Sequence, residues 1–200
     1  MKKMKAAILS SGKGSNADAI FNCVENGKIK NLEIVALISD IQDAPALNVA
    51  KRHNIPSIWI DPMRKGARFT PESAQNYIKF LKESEVELVI LAGFMRILPP
   101  EFVSEFSNRA INLHPSLLPA FKGKDAIKQA FDAKAKKCGC TVHFVSDELD
   151  GGKIISQKEV EIFPGDTLET LEARVHEAEH ILLPSVIADI ASGKIKLGYC

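Results

Sequence analysis

The chain has 200 residues, 46% hydrophobic and 26% charged, enough to bury a sizeable core and stay soluble as one large domain. Its 26 Lys and Arg offset 25 Asp and Glu to a net charge of +1, which gives no electrostatic case for nucleic-acid binding. No stretch approaches the roughly 18 apolar residues of a membrane helix, and the apolar run after the basic Met1-Lys2-Lys3-Met4-Lys5 stops at Ser10, too early for a signal peptide.

In chain order, residues 5–10 read as an apolar strand, and Gly12-Lys13-Gly14-Ser15-Asn16 as a loop. A helix over 17–25 follows, with Asn16 as its N-cap and Asn26-Gly27 as its stop. Residues 32–39 form a near-continuous apolar strand of the kind buried on both faces. A short helix over 45–53 and a strand over 57–60 come next. Thr70-Pro71-Glu72 opens a helix to about Ser84, with Pro71 in the first turn, where its missing N–H costs nothing. Residues 88–91 are a strand, 101–106 a turn or two of helix, and 110–114 a further strand. Strands alternating with helices predict right-handed βαβ crossovers and a doubly wound, mostly parallel α/β sheet.

The pattern changes after Pro119. A helix over 126–136 precedes strands at 141–145 and 154–161, joined by 146–153, which predict an antiparallel C-terminal extension. A last helix from about Thr167 to Ser192 puts Leu168, Leu171, Val175, Ala178 and Leu182 on one buried stripe. With no linker-like composition between them, residues 1–200 read as a single domain. Of the four cysteines, Cys138 and Cys140 lack a second pair for zinc, and Cys23 and Cys200 stand alone. Reduced thiols and a cytoplasmic protein are the expectation.

Three segments carry chemistry. The Gly12–Asn16 loop follows the first strand and opens the first helix, where unpaired backbone N–H groups and the helix dipole suit a phosphate monoester. It is not a dinucleotide fingerprint, because Ala17 stands where the third glycine belongs, nor a Walker loop. Asn112 and His114 lie two apart on their strand, so both side chains share a face, and Pro115 stops the ladder at His114. The carboxyl edge of such a sheet is where ligands bind. An amide beside an imidazole there suits carbonyl chemistry, one holding a developing oxyanion and the other moving a proton.

The third segment is Asp147-Glu148-Leu149-Asp150-Gly151-Gly152. One of its carboxylates facing His114 would hold the ring cationic and in a fixed orientation. Spacing does not choose the acid, although Leu149 and the glycines let Asp150 point inward while Asp147 and Glu148 stay wet. Ser116 lacks a nucleophile-elbow context, and His143 alternates with apolar neighbours as a structural or supporting residue. The run from His176 to His180 superficially matches a zinc motif but shows no third ligand, so no metal is expected.

Together these segments resemble the glycinamide ribonucleotide transformylase family. The likeness rests on Gly14-Ser15-Asn16, the run from Leu91 to Leu98, Asn112-x-His114-Pro-Ser-Leu-Leu-Pro, the run from Asp147 to Gly152, and Glu179-His180. It implies formyl transfer from 10-formyltetrahydrofolate, as co-substrate, to the amine of glycinamide ribonucleotide in purine biosynthesis. It implies Asn112, His114 and Asp150 as the catalytic trio. Gly14, Ser15 and Asn16 would bind phosphate, with His176 and Glu179 near the ribonucleotide. Met95, Arg96, Ile97 and Leu98, with Asn112 and with Ser146, Asp147, Glu148, Leu149 and Asp150, would form the folate pocket, backbone groups holding the pterin. About 1–110 would be a ribonucleotide-binding half and about 111–200 a folate-binding and catalytic half. Small molecules are the expected partners, with no nucleic acid and no membrane, in a monomer or homodimer.

The likeness is loose across 64–71, where many members carry a basic residue facing the folate tail; here Thr70-Pro71 stands near that place with Arg68 close by. Asp125 lies in a loop where members have a histidine. Methionyl-tRNA formyltransferase and formyltetrahydrofolate hydrolase share the core but carry a further domain, for which this length leaves no room. A non-catalytic phosphate-binding module would keep the glycine loop without needing Asn112, His114 and Asp150 together.

Overall fold

The computed structural model describes residues 2–63 and 66–198, so Arg64, Lys65 and Cys200 lie outside the described residues. Among the described residues seven strands form one sheet: β1 Met4–Leu9, β2 Leu32–Ser39, β3 Ser57–Trp59, β4 Leu88–Leu91, β5 Ala110–His114, β6 Lys137–Phe144 and β7 Ile154–Glu161, in the order β3-β2-β1-β4-β5-β6-β7. The first five run parallel, and β6 and β7 add antiparallel at the far edge. Among the described residues six helices accompany them: α1 Ser15–Glu25, α2 Pro45–Arg52, α3 Pro71–Glu83, α4 Pro100–Glu105, α5 Ala126–Asp132 and α6 Leu168–Ala191. The doubly wound, mostly parallel sheet expected from the β/α alternation is the one observed.

Strand alternation sorts the core into two layers. Ala6, Ile8, Leu88, Ile90, Ile111, Leu113, Cys140 and Val142 face α1, α2 and α6. Ala7, Leu9, Val89, Leu91 and Ala110 face α3 and α4 through Tyr77, Leu81, Phe102 and Phe106. The helix layer changes sides between β1 and β4, which opens the crevice of a doubly wound sheet at their carboxyl ends. On the α3/α4 side the apolar cluster stops at Ala110, with Val145 at its margin. Beyond it the same alternation turns Asn112, His114, Thr141 and His143 to that face, and the pairing sets Asn112 opposite His143 and His114 opposite Thr141. Polar side chains thus gather where, among the described residues, no helix covers the sheet.

Three boundaries differ from expectation by two residues or more. α1 begins at Ser15, because Gly14 at φ 81 makes the cap and Asn16 lies inside the first turn. A Cβ on Gly14 would meet Ala46 Cα at 2.8 Å, so the left-handed turn and the approach of α2 both require glycine. α5 ends at Asp132, short of 136: Lys134 takes φ 49, and the chain enters β6 at Lys137, four residues before the expected start at 141. Gly139 permits this by letting the Lys158 backbone of β7 approach closely. α6 is capped at Thr167 by a reciprocal pair with Thr170 and continues through Pro184.

Candidate active site

β5 delivers Asn112 and His114 to the crevice, and Asp150 reaches them from the loop between β6 and β7. Asp150 Oδ2 lies 3.4 Å from His114 Nδ1, an ion-pair distance longer than a well-formed hydrogen bond, with both side chains 6% exposed. The same oxygen accepts the Gly123 N–H at 2.8 Å. His114 Nε2 lies 2.9 Å from the Phe121 carbonyl. Both ring nitrogens therefore face acceptors. Asp147, Glu148 and Leu149 are exposed, and Glu148 pairs with Lys122 at 2.7 Å, which lowers its pKa. Of the acids in the turn, Asp150 alone points inward. Gly152 lets the turn close, since a Cβ there would run into the Phe144 carbonyl.

His143 takes a larger part than its sequence context suggests. Its Nε2 lies 3.1 Å from Asn112 Nδ2, and its Nδ1 lies 2.8 Å from the Phe144 carbonyl. Burial pushes its pKa below the ordinary 6.5, outweighing the bond to Phe144 and the pull of Asp150. A neutral ring donates from Nδ1 to the carbonyl and accepts at Nε2 from Asn112. That fixes the Asn112 amide and leaves its second N–H for a ligand. Asp150 Oδ1 is 3.8 Å from His143 Nε2, so the acid sits between two imidazoles of opposite duty.

At the other end of the crevice, Gly14 caps α1 without a side-chain bond, which leaves the N–H groups of the first turn open. Asn16 donates from Nδ2 to Glu179 Oε2 at 3.0 Å, and His176 Nδ1 reaches the same oxygen at 3.0 Å. Glu179 raises the His176 pKa, against the opposing effect of burial. Asn16 Oδ1 is buried without a partner among the described residues, an acceptor awaiting a donor. The loop after β1 and the last helix, 163 residues apart, thus build one polar corner.

Met95 is 67% exposed at the crevice mouth. Its N–H is held by Ser11 Oγ at 2.9 Å, and the Ile97 N–H by the Ala67 carbonyl at 2.7 Å. Residues Arg68 and Ile97 form a parallel bridge, which brings the 66–69 segment alongside this wall. The Arg96 side chain turns away into a buried ion pair with Asp40, Nε to Oδ2 at 2.7 Å. Neither Asp40 nor Ser11 was marked by any motif. The buried thiols of Cys138 and Cys140 are pushed up to about 11 and about 12, which makes them unreactive core groups.

The family described as formyl transferase matches residues 4–187, and the chain belongs to that family. Within it the similarity runs to glycinamide ribonucleotide transformylases. Glycinamide ribonucleotide transformylase 1 from Symbiobacterium toebii superposes with a TM-score of 0.90 at 36% identity, covering 98% of this chain and 91% of that one. Phosphoribosylglycinamide formyltransferase from Bacillus halodurans does so with 0.89 at 36% identity, covering 98% and 100%. The trifunctional purine biosynthetic protein adenosine-3 of Gallus gallus is 43% identical over 196 residues, 98% of this chain and 19% of that protein. The chain thus spans about a fifth of the length of that trifunctional relative.

Proposed function

We propose that the chain transfers the formyl group of 10-formyltetrahydrofolate to the amine of glycinamide ribonucleotide, a step of de novo purine biosynthesis. The observation that carries this reading is the pairing of a strand-end Asn112 and His114 with the buried Asp150, 3.4 Å from the ring. The amine attacks the formyl carbon and charge develops on the formyl oxygen. The free N–H of Asn112 and the His114 cation stabilise it, and losing one such donor typically costs about a hundredfold or more in rate. As the bond from the carbon to N10 of the folate breaks, a proton leaves the incoming amine and one arrives at N10. Asp150 orients the His114 ring. The chemistry needs no metal and no covalent intermediate.

The remaining roles follow from the groups gathered at the two ends of the crevice. The open N–H groups at Gly14, Ser15 and Asn16 take the phosphate, and Asn16 Oδ1 with Glu179 and His176 takes the ribose hydroxyls. The backbone from Met95 to Leu98 holds the pterin from one side, and that of residues 146–150 from the other. Among the described residues Arg68, on the segment beside Ile97, is the cation we assign to the folate tail. The partners are these small molecules, and the chain works as a monomer or homodimer in the cytoplasm. Mixing the protein with 10-formyldihydrofolate, with and without glycinamide ribonucleotide, tests the reading through release of deformylated folate. Release that requires the ribonucleotide supports it, and equal release with water as acceptor would replace it with hydrolysis.

A further inference from the structure

We infer that Asp40 is a positioning residue that fixes the phosphate loop and the folate wall relative to each other. This rests on the proposed formyl transfer and goes beyond it. Asp40 follows β2 and is 5% exposed. Its Oδ1 accepts the Ser11 hydroxyl at 2.6 Å, from the loop after β1, and its Oδ2 accepts Arg96 Nε at 2.7 Å, from the loop after β4. Ser11 Oγ in turn accepts the Met95 N–H at 2.9 Å. Since Met95 and Arg96 are neighbours in the chain, the contacts close into a ring: Met95 N–H to Ser11, Ser11 to Asp40, Asp40 to Arg96. A second span, Ser11 N–H to the Gly93 carbonyl at 3.0 Å, lies beside it.

The ring straddles the point where β1 and β4 send their helices to opposite faces, and beyond the paired ends of these strands it joins the two loops together with the Ser11–Gly93 bond. One loop leads directly into the phosphate corner, since the Gly12 carbonyl accepts the Ala46 N–H at 3.1 Å and Gly14 packs on Ala46. The other is the wall from Met95 to Leu98. The two reactants must meet at one carbon, and misplacement by about 1 Å can cost about a hundredfold in rate. A carboxylate that accepts from both loops sets that separation. It touches neither substrate, so its loss leaves each subsite formed but shifted.

The test is steady-state kinetics on Asp40→Ala with both substrates varied, beside the wild type. The expected result is a kcat lower by about tenfold or more, with each KM changed less than about threefold. Asp40→Asn, which keeps an acceptor for one of the two partners, is expected to recover most of that loss. Asp40→Ala takes the carboxylate away from a buried guanidinium and risks misfolding, so the double variant Asp40→Ala/Arg96→Met removes that charge as well. It is expected to melt near the wild-type temperature while keeping the kcat deficit. A folded variant with wild-type kcat, or a rise confined to one substrate's KM, overturns the inference. A wild type without formyl transfer to the ribonucleotide overturns the proposed function instead.

Discussion

The two ends of the crevice are built on different principles. The phosphate corner relies on backbone: a left-handed Gly14, an uncapped α1 and a close approach of α2. The transfer end relies on side chains held in strand register, with Asn112 and His143 paired across β5 and β6 and Asp150 folded over them. A backbone site grips a charge wherever it sits on the ligand, whereas a side-chain site places single atoms. Binding and turnover should therefore separate between the two ends.

The sharpest way to break that contrast is at the transfer end. Asn112→Ala is expected to lose about a hundredfold or more in kcat with ribonucleotide affinity retained; a matching loss of affinity in a calorimetric titration would merge the two ends. His143→Leu removes the acceptor that orients Asn112 and should cost about tenfold in kcat, less than Asn112→Ala because the amide itself survives. Unchanged kcat in that variant would leave Asn112 oriented by something else. At the phosphate corner, Asn16→Ala should raise the ribonucleotide KM by about tenfold and leave the folate KM alone. Equal effects on both would remove the assigned division.

The smallest expected effect is in the pH dependence of stability, where one histidine below each end shifts oppositely. Burial alone would lower the pKa of His53, beneath the phosphate corner, but the carboxylates of Glu25, at 2.7 Å, and Asp18, at 3.1 Å, outweigh it and hold it above 6.5. Its contribution is full below the ordinary value and is lost as pH rises through the raised one. His143 is lowered, so its contribution is full above 6.5 and is lost as pH falls. Melting temperatures across pH 5–8 should show His53→Gln flattening the alkaline side of the profile and His143→Leu the acidic side. The same side flattening in both would contradict the assignment.

How much of this was legible in the sequence follows from the range of the interactions. Pro115 announced the end of β5, so the face shared by Asn112 and His114 was readable from six residues. Leu149 and the two glycines hinted that Asp150 turns inward. Asn16 misled, because an asparagine at a helix start looks like a cap, while the chain caps with Gly14 and sends Asn16 to Glu179. The early start of β6 was hidden because the helix was read on to 136 and the close approach of β7 at Gly139 is a tertiary contact with no local signal. The pairs His143–Asn112 and Asp40–Arg96 depend on strand order, spanning 31 and 56 residues, and no local signal marks them.

The central claim is that His114 and Asp150 act as one unit on the reacting carbon, and a double-mutant cycle on kcat tests it most directly. His114→Ala and Asp150→Asn should each abolish most turnover, and the combined variant should be little worse than His114→Ala alone, because the carboxylate has nothing left to hold. Two independent losses that multiply, or a near-wild-type rate in Asp150→Asn, would contradict the account.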